Sequence, residues 1–182
     1  DSIWLLALLY VKVKNFDGAK KLFSQATEIQ PNNANAYTNL GNTHIELGEF
    51  NKAINCYQRT IKIQPNNANA YYNLGNVLQN LEKFEKAKKS YQKAIQIMPN
   101  HVSAHNNLGS ILKLFGRFQE AINCYQKAIK IEPAHAATYN NLAMAFTELG
   151  EFSKAIYFYQ MAIKYEPNNL LNYYYLSGIK KE

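Results

Sequence analysis

The sequence predicts an all-α fold, a solenoid of stacked helical hairpins, and three observations carry that expectation. An internal period of 34 residues runs through the chain without insertion. Within each period the apolar residues recur at helical spacing, three and four apart. The composition agrees: of 182 residues 47% are hydrophobic and 18% charged, with only 8 Gly and 5 Pro, too apolar for disorder and too poor in turn residues for a loop-rich chain.

The prolines set the period, at Pro31, Pro65, Pro99, Pro133 and Pro167. The same step carries Ala19, Ala53, Ala87, Ala121 and Ala155, the aromatic column Phe23, Tyr57, Tyr91, Tyr125 and Tyr159, and the core column Leu6, Leu40, Leu74, Leu108, Leu142 and Leu176. Within one unit, Tyr37, Leu40, Gly41 and His44 mark one stripe of a first helix. Leu47-Gly48-Glu49 is a turn, with Gly48, like Gly116 and Gly150, suited to a left-handed residue past a helix end. Ala53, Tyr57 and Ile61 mark a second helix, which Pro65 terminates. Asp17, Asn51 and Ser153 stand near second-helix starts, where a side-chain oxygen is expected to cap an orphan N–H. One hairpin cannot bury its apolar face alone, so neighbours stack, and each small Gly or Ala is expected to admit a neighbour's aromatic ring.

These columns resemble the tetratricopeptide repeat, in Tyr37, Leu40-Gly41, Ala53, Tyr57 and Pro65, and again in Tyr71, Leu74-Gly75, Ala87, Tyr91, Ala94 and Pro99. Departures are mild: Ile3 and His105 replace the first aromatic, Ala7, Ala143 and Ser177 the first Gly, and Thr60 the second Ala. The resemblance implies a right-handed superhelix with first helices lining the concave side. The expected repeats are 1–33, 34–67, 68–101, 102–135 and 136–169, with 170–182 a partial sixth holding a first helix only. Both ends read as cuts through a longer array.

The candidate site lies on the first helices. Asn35, Thr38, Asn39 and Asn42 sit two positions from the Tyr37 stripe, a rotation of about 200°, and are expected to point away from the core. Their equivalents include Asn69, Tyr72, Asn73 and Asn76, then Asn106 and Asn107, then Asn140 and Asn141. Asn39, Asn73, Asn107 and Asn141 form a ladder, each immediately before the core Leu. An amide side chain carries both a donor and an acceptor, so it pairs with a peptide main chain whatever that peptide's side chains are. The ladder is similar to that of the repeat arrays of O-linked N-acetylglucosamine transferases, which implies main-chain recognition; Asn before Leu-Gly also belongs to the family's ordinary consensus. Tyr72, Met144 and Leu114 are candidates for side-chain pockets. This face shows no Lys or Arg in the four central repeats, which disfavours a clamp on a C-terminal carboxylate.

Other chemistries are read out by their absence from the sequence. The longest apolar run, Ile3 to Val11, is nine residues, far short of the ~20 a membrane span needs. The net charge of +7 sits on second helices, for instance at Lys52, Arg59, Lys86, Lys127 and Lys164, and reads as a solvated face rather than a nucleic-acid surface. His101 and His105 lack the Glu of a helical zinc motif and read as turn and core residues. Cys56 and Cys124 match small buried hydrophobes and favour a reducing, cytoplasmic setting. No nucleotide loop or nucleophile elbow is present, so no cofactor, metal or catalysis is expected. The function read from the sequence is a protein-interaction scaffold binding an extended peptide. The alternatives are a recruiting or oligomerising arm of a larger enzyme, such as a glycosyltransferase, and self-association through the terminal helix at Tyr173-Tyr174-Tyr175-Leu176.

Overall fold

The computed structural model describes residues 2–179, and every regular element among them is an α-helix. The chain divides into two compact units, Asp1–Ile97 and Met98–Glu182. The first holds α1 (Ser2–Lys12), α2 (Phe16–Ile29), α3 (Ala34–Glu46), α4 (Phe50–Ile63), α5 (Ala68–Asn80) and α6 (Phe84–Ile97). Here α1 pairs with α2, α3 with α4 and α5 with α6, while α2 packs on α3 and α4 on α5. The second holds α7 (Val102–Leu114), α8 (Phe118–Ile131), α9 (Ala136–Glu148), α10 (Phe152–Tyr165) and α11 (Leu170–Ile179). Its hairpins are α7/α8 and α9/α10, joined by packing of α8 on α9, with α11 against α10.

The turns follow the sequence. Gly48, Gly116 and Gly150 adopt φ of 71°, 71° and 72°, and a Cβ there would meet nothing within 4 Å. Lys14 and Glu82 hold the same place in the other two hairpins at φ of 58° and 57°, a conformation costly for a residue with a Cβ.

The caps differ from expectation. Asp17, Asn51 and Ser153 lie inside the second helices, one residue past the first helical position, and cap nothing. The residues before α4, α8 and α10 are Glu49, Arg117 and Glu151, none with a side-chain cap bond. Capping belongs instead to Asn15 ahead of α2 and to the first helices: Asn33, Asn67 and His101 accept from the backbone N–H of Ala36, Ala70 and Ala104. That explains part of the Asn excess, because Asn outside a helix satisfies an orphan donor that Asn inside would compete with.

Each hairpin closes on a small residue, and the ring it admits comes from the second helix of the same hairpin, not from a neighbouring repeat. A Cβ on Gly41, Gly75 or Gly109 would stand 2.9, 2.6 or 2.6 Å from Cε1 of Tyr57, Tyr91 or Tyr125. The antiparallel pairing sets residues 16 apart face to face, so close helix approach and ring burial are one event. Leu40, Leu74, Leu108 and Leu142 are buried as expected, but Leu6 is 43% exposed. α2 packs on α3, α4 on α5 and α8 on α9 in this way, and among the described residues no helix does this for α1. Leu176 is half-buried.

Candidate functional site

The amides of the first helices differ in their surroundings. Asn35 and Asn69, in the first turns of α3 and α5, are exposed. Asn39 and Asn73 lie one turn further on, half-buried, and among the described residues neither side chain has a hydrogen-bond partner within the protein. Tyr72, beside Asn73, packs its ring 6.0 Å from that of Tyr91.

Asn42 is exposed, as the spacing suggests, and Asn76 half-buried, yet both amides are tied to the core by a tyrosine hydroxyl. The fully buried Tyr57 donates its hydroxyl to Asn42 Oδ1 at 2.6 Å, and the Tyr91 hydroxyl lies 2.8 Å from both Asn76 Oδ1 and Gln79 Oε1. The Tyr125 hydroxyl uses Ser110 Oγ in the same way, at 3.4 Å. A buried hydroxyl without an acceptor is costly, so one end of the face is tied to the core. Where the ring is Phe23, with no hydroxyl to serve, the corresponding position is Leu8. Thr38 is tied inward too, its Oγ 3.1 Å from that of the buried Thr60.

In the second unit the amides engage one another. Asn141 Nδ2 donates to Asn106 Oδ1 at 3.0 Å, Thr138 Oγ donates to the same oxygen at 3.2 Å, and Asn106 Nδ2 donates to Asn107 Oδ1 at 3.3 Å. Asn140 Oδ1 is buried without a hydrogen-bond partner among the described residues. A cation also reaches this face, contrary to the sequence reading: Lys113 Nζ on α7 lies 3.6 Å from Met144 Sδ on α9. Burial holds its pKa below the usual lysine value. Lys113 stands one turn past Ser110, outside the columns that define the face, and its long stem brings the ammonium to Met144, which holds the Ser110 position in the next repeat.

At the end of α3, Glu49 gathers His44 Nδ1 at 2.5 Å, Lys52 at 3.2 Å and Lys20 at 3.4 Å. Burial pushes its carboxyl up, but the hydrogen bonds from His44, Lys52 and Lys20 outweigh that and hold it at about 2. The second-helix cations Lys52, Arg59, Lys62, Lys86, Lys93, Lys127, Lys130, Lys154 and Lys164 are all exposed, as expected. His101 caps α7, and the buried His105 places Nε2 2.9 Å from the Pro99 carbonyl oxygen. Burial pushes the Cys56 thiol up to about 11 and raises that of Cys124. Among the described residues no three potential ligands gather as a metal site, and no helix is long and apolar enough to cross a membrane.

Family models for the tetratricopeptide repeat match residues 1–33, 22–55, 66–133 and 136–169, and a further repeat model of the same kind matches 41–82. No curated protein matches the sequence. Among solved structures, MamA is 25% identical at a TM-score of 0.82, with 90% of this chain and 96% of that one covered. YrrB, described as a tetratricopeptide-repeat protein with an unusual peptide-binding site, is 23% identical at 0.77, covering 94% and 89%. PilF of Pseudomonas aeruginosa is 22% identical at 0.81, covering 90% and 75%.

Proposed function

Because this chain belongs to the tetratricopeptide-repeat family, we propose that it is a protein-interaction scaffold that takes an extended peptide or partner segment along its first helices, without catalysis of its own. The observation that carries this reading is the pair Asn39 and Asn73, on successive first helices, with amides that nothing among the described residues occupies. Asn107 and Asn141 continue the column in the second unit, where contact with a peptide main chain competes with their bonds to Asn106. YrrB, with its peptide-binding site, supports the class of ligand. The likeness to the transferase arrays rests on the Asn columns alone.

Each amide rung nets only ~0.5 to 1.5 kcal/mol, so rungs by themselves give weak binding and apolar contacts must add to them. Phage-displayed peptides selected on the purified chain supply the ligand, and calorimetry on Asn39→Ala with Asn73→Ala tests the ladder. A loss of roughly tenfold or more is expected for the pair. Unchanged affinity with intact helicity removes the ladder from the mechanism. A second reading, self-association, draws on α11, where Leu170, Leu171, Tyr173 and Tyr174 are exposed. Sedimentation should then show mass rising with concentration, and a strict monomer at high concentration ends that reading.

A further inference from the structure

The Asn columns break at α1, and the break coincides with a cavity. Leu8 stands where Asn42, Asn76 and Ser110 stand in the following repeats, and Leu5 where Asn39, Asn73 and Asn107 do. Both are exposed, Leu5 at 66% and Leu8 at 40%. Between α1 and α3 lies a cavity of 300 Å³ walled on one side by Leu8, Val11 and Phe16 and on the other by Asn39 and Asn42. Lys12, Lys14 and Glu46 form its charged rim.

The core gives Leu8 no hydrogen-bonding duty, because Phe23 stands where Tyr57 stands relative to Asn42 and has no hydroxyl. An exposed leucine beside an unoccupied amide is then a mixed surface: apolar for a side chain, polar for the main chain that carries it. Two lysines against one glutamate leave the rim positive. Leu8, Val11 and Phe16 offer an aliphatic group three apolar walls, and the volume admits a leucine-sized side chain but not a folded element.

We propose that this cavity is a specificity pocket of the peptide face: it takes a large aliphatic side chain of the bound segment, with acidic residues next to it meeting Lys12 and Lys14. The pocket rests on the scaffold reading above and deepens it by naming the ligand chemistry, an acidic segment with an aliphatic anchor. Asn39 holds the main chain at the anchor residue.

The test uses three acetylated, amidated peptides on the isotopically labelled chain, followed by amide chemical shifts: Gly-Gly-Leu-Asp-Asp-Gly, the same with Ala for Leu, and the same with Lys-Lys for Asp-Asp. The Leu-Asp-Asp peptide should move Val11, Phe16, Asn39 and Asn42 and bind about tenfold more tightly than the Ala peptide. Lys12→Glu with Lys14→Glu, both at exposed positions, should reverse the preference between Asp-Asp and Lys-Lys. Equal binding of the Leu and Ala peptides, with shifts at Asn39 and Asn73, overturns the pocket and leaves the scaffold reading standing. Leucine preference without charge preference overturns the acidic half of the proposal. No shift at either asparagine with any of the three overturns the pocket together with the ladder beneath it.

Discussion

Replacing Asn42 by Leu and Tyr57 by Phe, singly and together, should separate the folding duty of this face from its binding duty. Tyr57 is fully buried and its hydroxyl donates to Asn42 Oδ1 at 2.6 Å. Tyr57→Phe deletes the donor while the exposed Asn42 returns to water, a loss of about 0.5 to 1.5 kcal/mol. Asn42→Leu strands the hydroxyl in the core without its acceptor, which costs roughly 1 to 3 kcal/mol. The double variant has neither group and carries the two residue types, Leu8 and Phe23, that occupy these positions in the first hairpin, so it should lie close to the parent. The coupling energy, the sum of the two single losses less a near-zero double loss, is therefore expected at about 1.5 to 4.5 kcal/mol. Urea denaturation followed by far-ultraviolet circular dichroism measures all four chains, and the transition midpoints give the cycle. Additive singles, or a double variant less stable than either, would refute the claim that Asn42 serves the core.

Glu82→Gly should stabilise the chain by about 0.5 to 1 kcal/mol, since it relieves a left-handed residue, and Gly116→Ala should cost a similar amount although its Cβ touches nothing; thermal midpoints check both. Glu49 has a folded pKa of about 2 against an ordinary 4.5, so its stabilisation is complete above the ordinary range and is lost as pH falls from there towards 2. Glu49→Gln should flatten the acid limb of the stability curve across that window, and an unchanged limb would count against the His44–Lys20–Lys52 cluster. Asn172 is buried with its Oδ1 unpartnered among the described residues, in a column that elsewhere reads Ala36, Ala70, Ala104 and Thr138, so Asn172→Ala should raise the melting midpoint, by about 1 kcal/mol in stability.

The hairpin plan was legible because it depends on local chemistry. Pro31 and its periodic equivalents stop helices by sterics alone, and Gly48, Gly116 and Gly150 take a backbone conformation that other residues resist. Even there, Lys14 and Glu82 show the turn geometry imposed by its neighbours on residues that disfavour it. The caps were misplaced by a few residues at Asp17, Asn51 and Ser153, because a capping oxygen must sit outside the first turn and helix starts are the least defined feature of a periodic pattern. Asn33 and Asn67, each directly before an Ala that opens a first helix, were the signal to follow.

The division of labour among the asparagines lay beyond the pattern. Asn39 and Asn42 are three residues apart on one helix, yet one amide is open and the other holds a tyrosine hydroxyl from α4. One hint was in the sequence, the joint exchange of Tyr57 with Asn42 for Phe23 with Leu8. By itself the sequence determined the period and the hairpins, because each follows from steric stops and apolar spacing along a single helix. Only the tertiary structure decided which amides are spent on the core and where a cavity opens beside the rest, because a hydrogen bond is settled by atoms brought within about 3 Å across two helices.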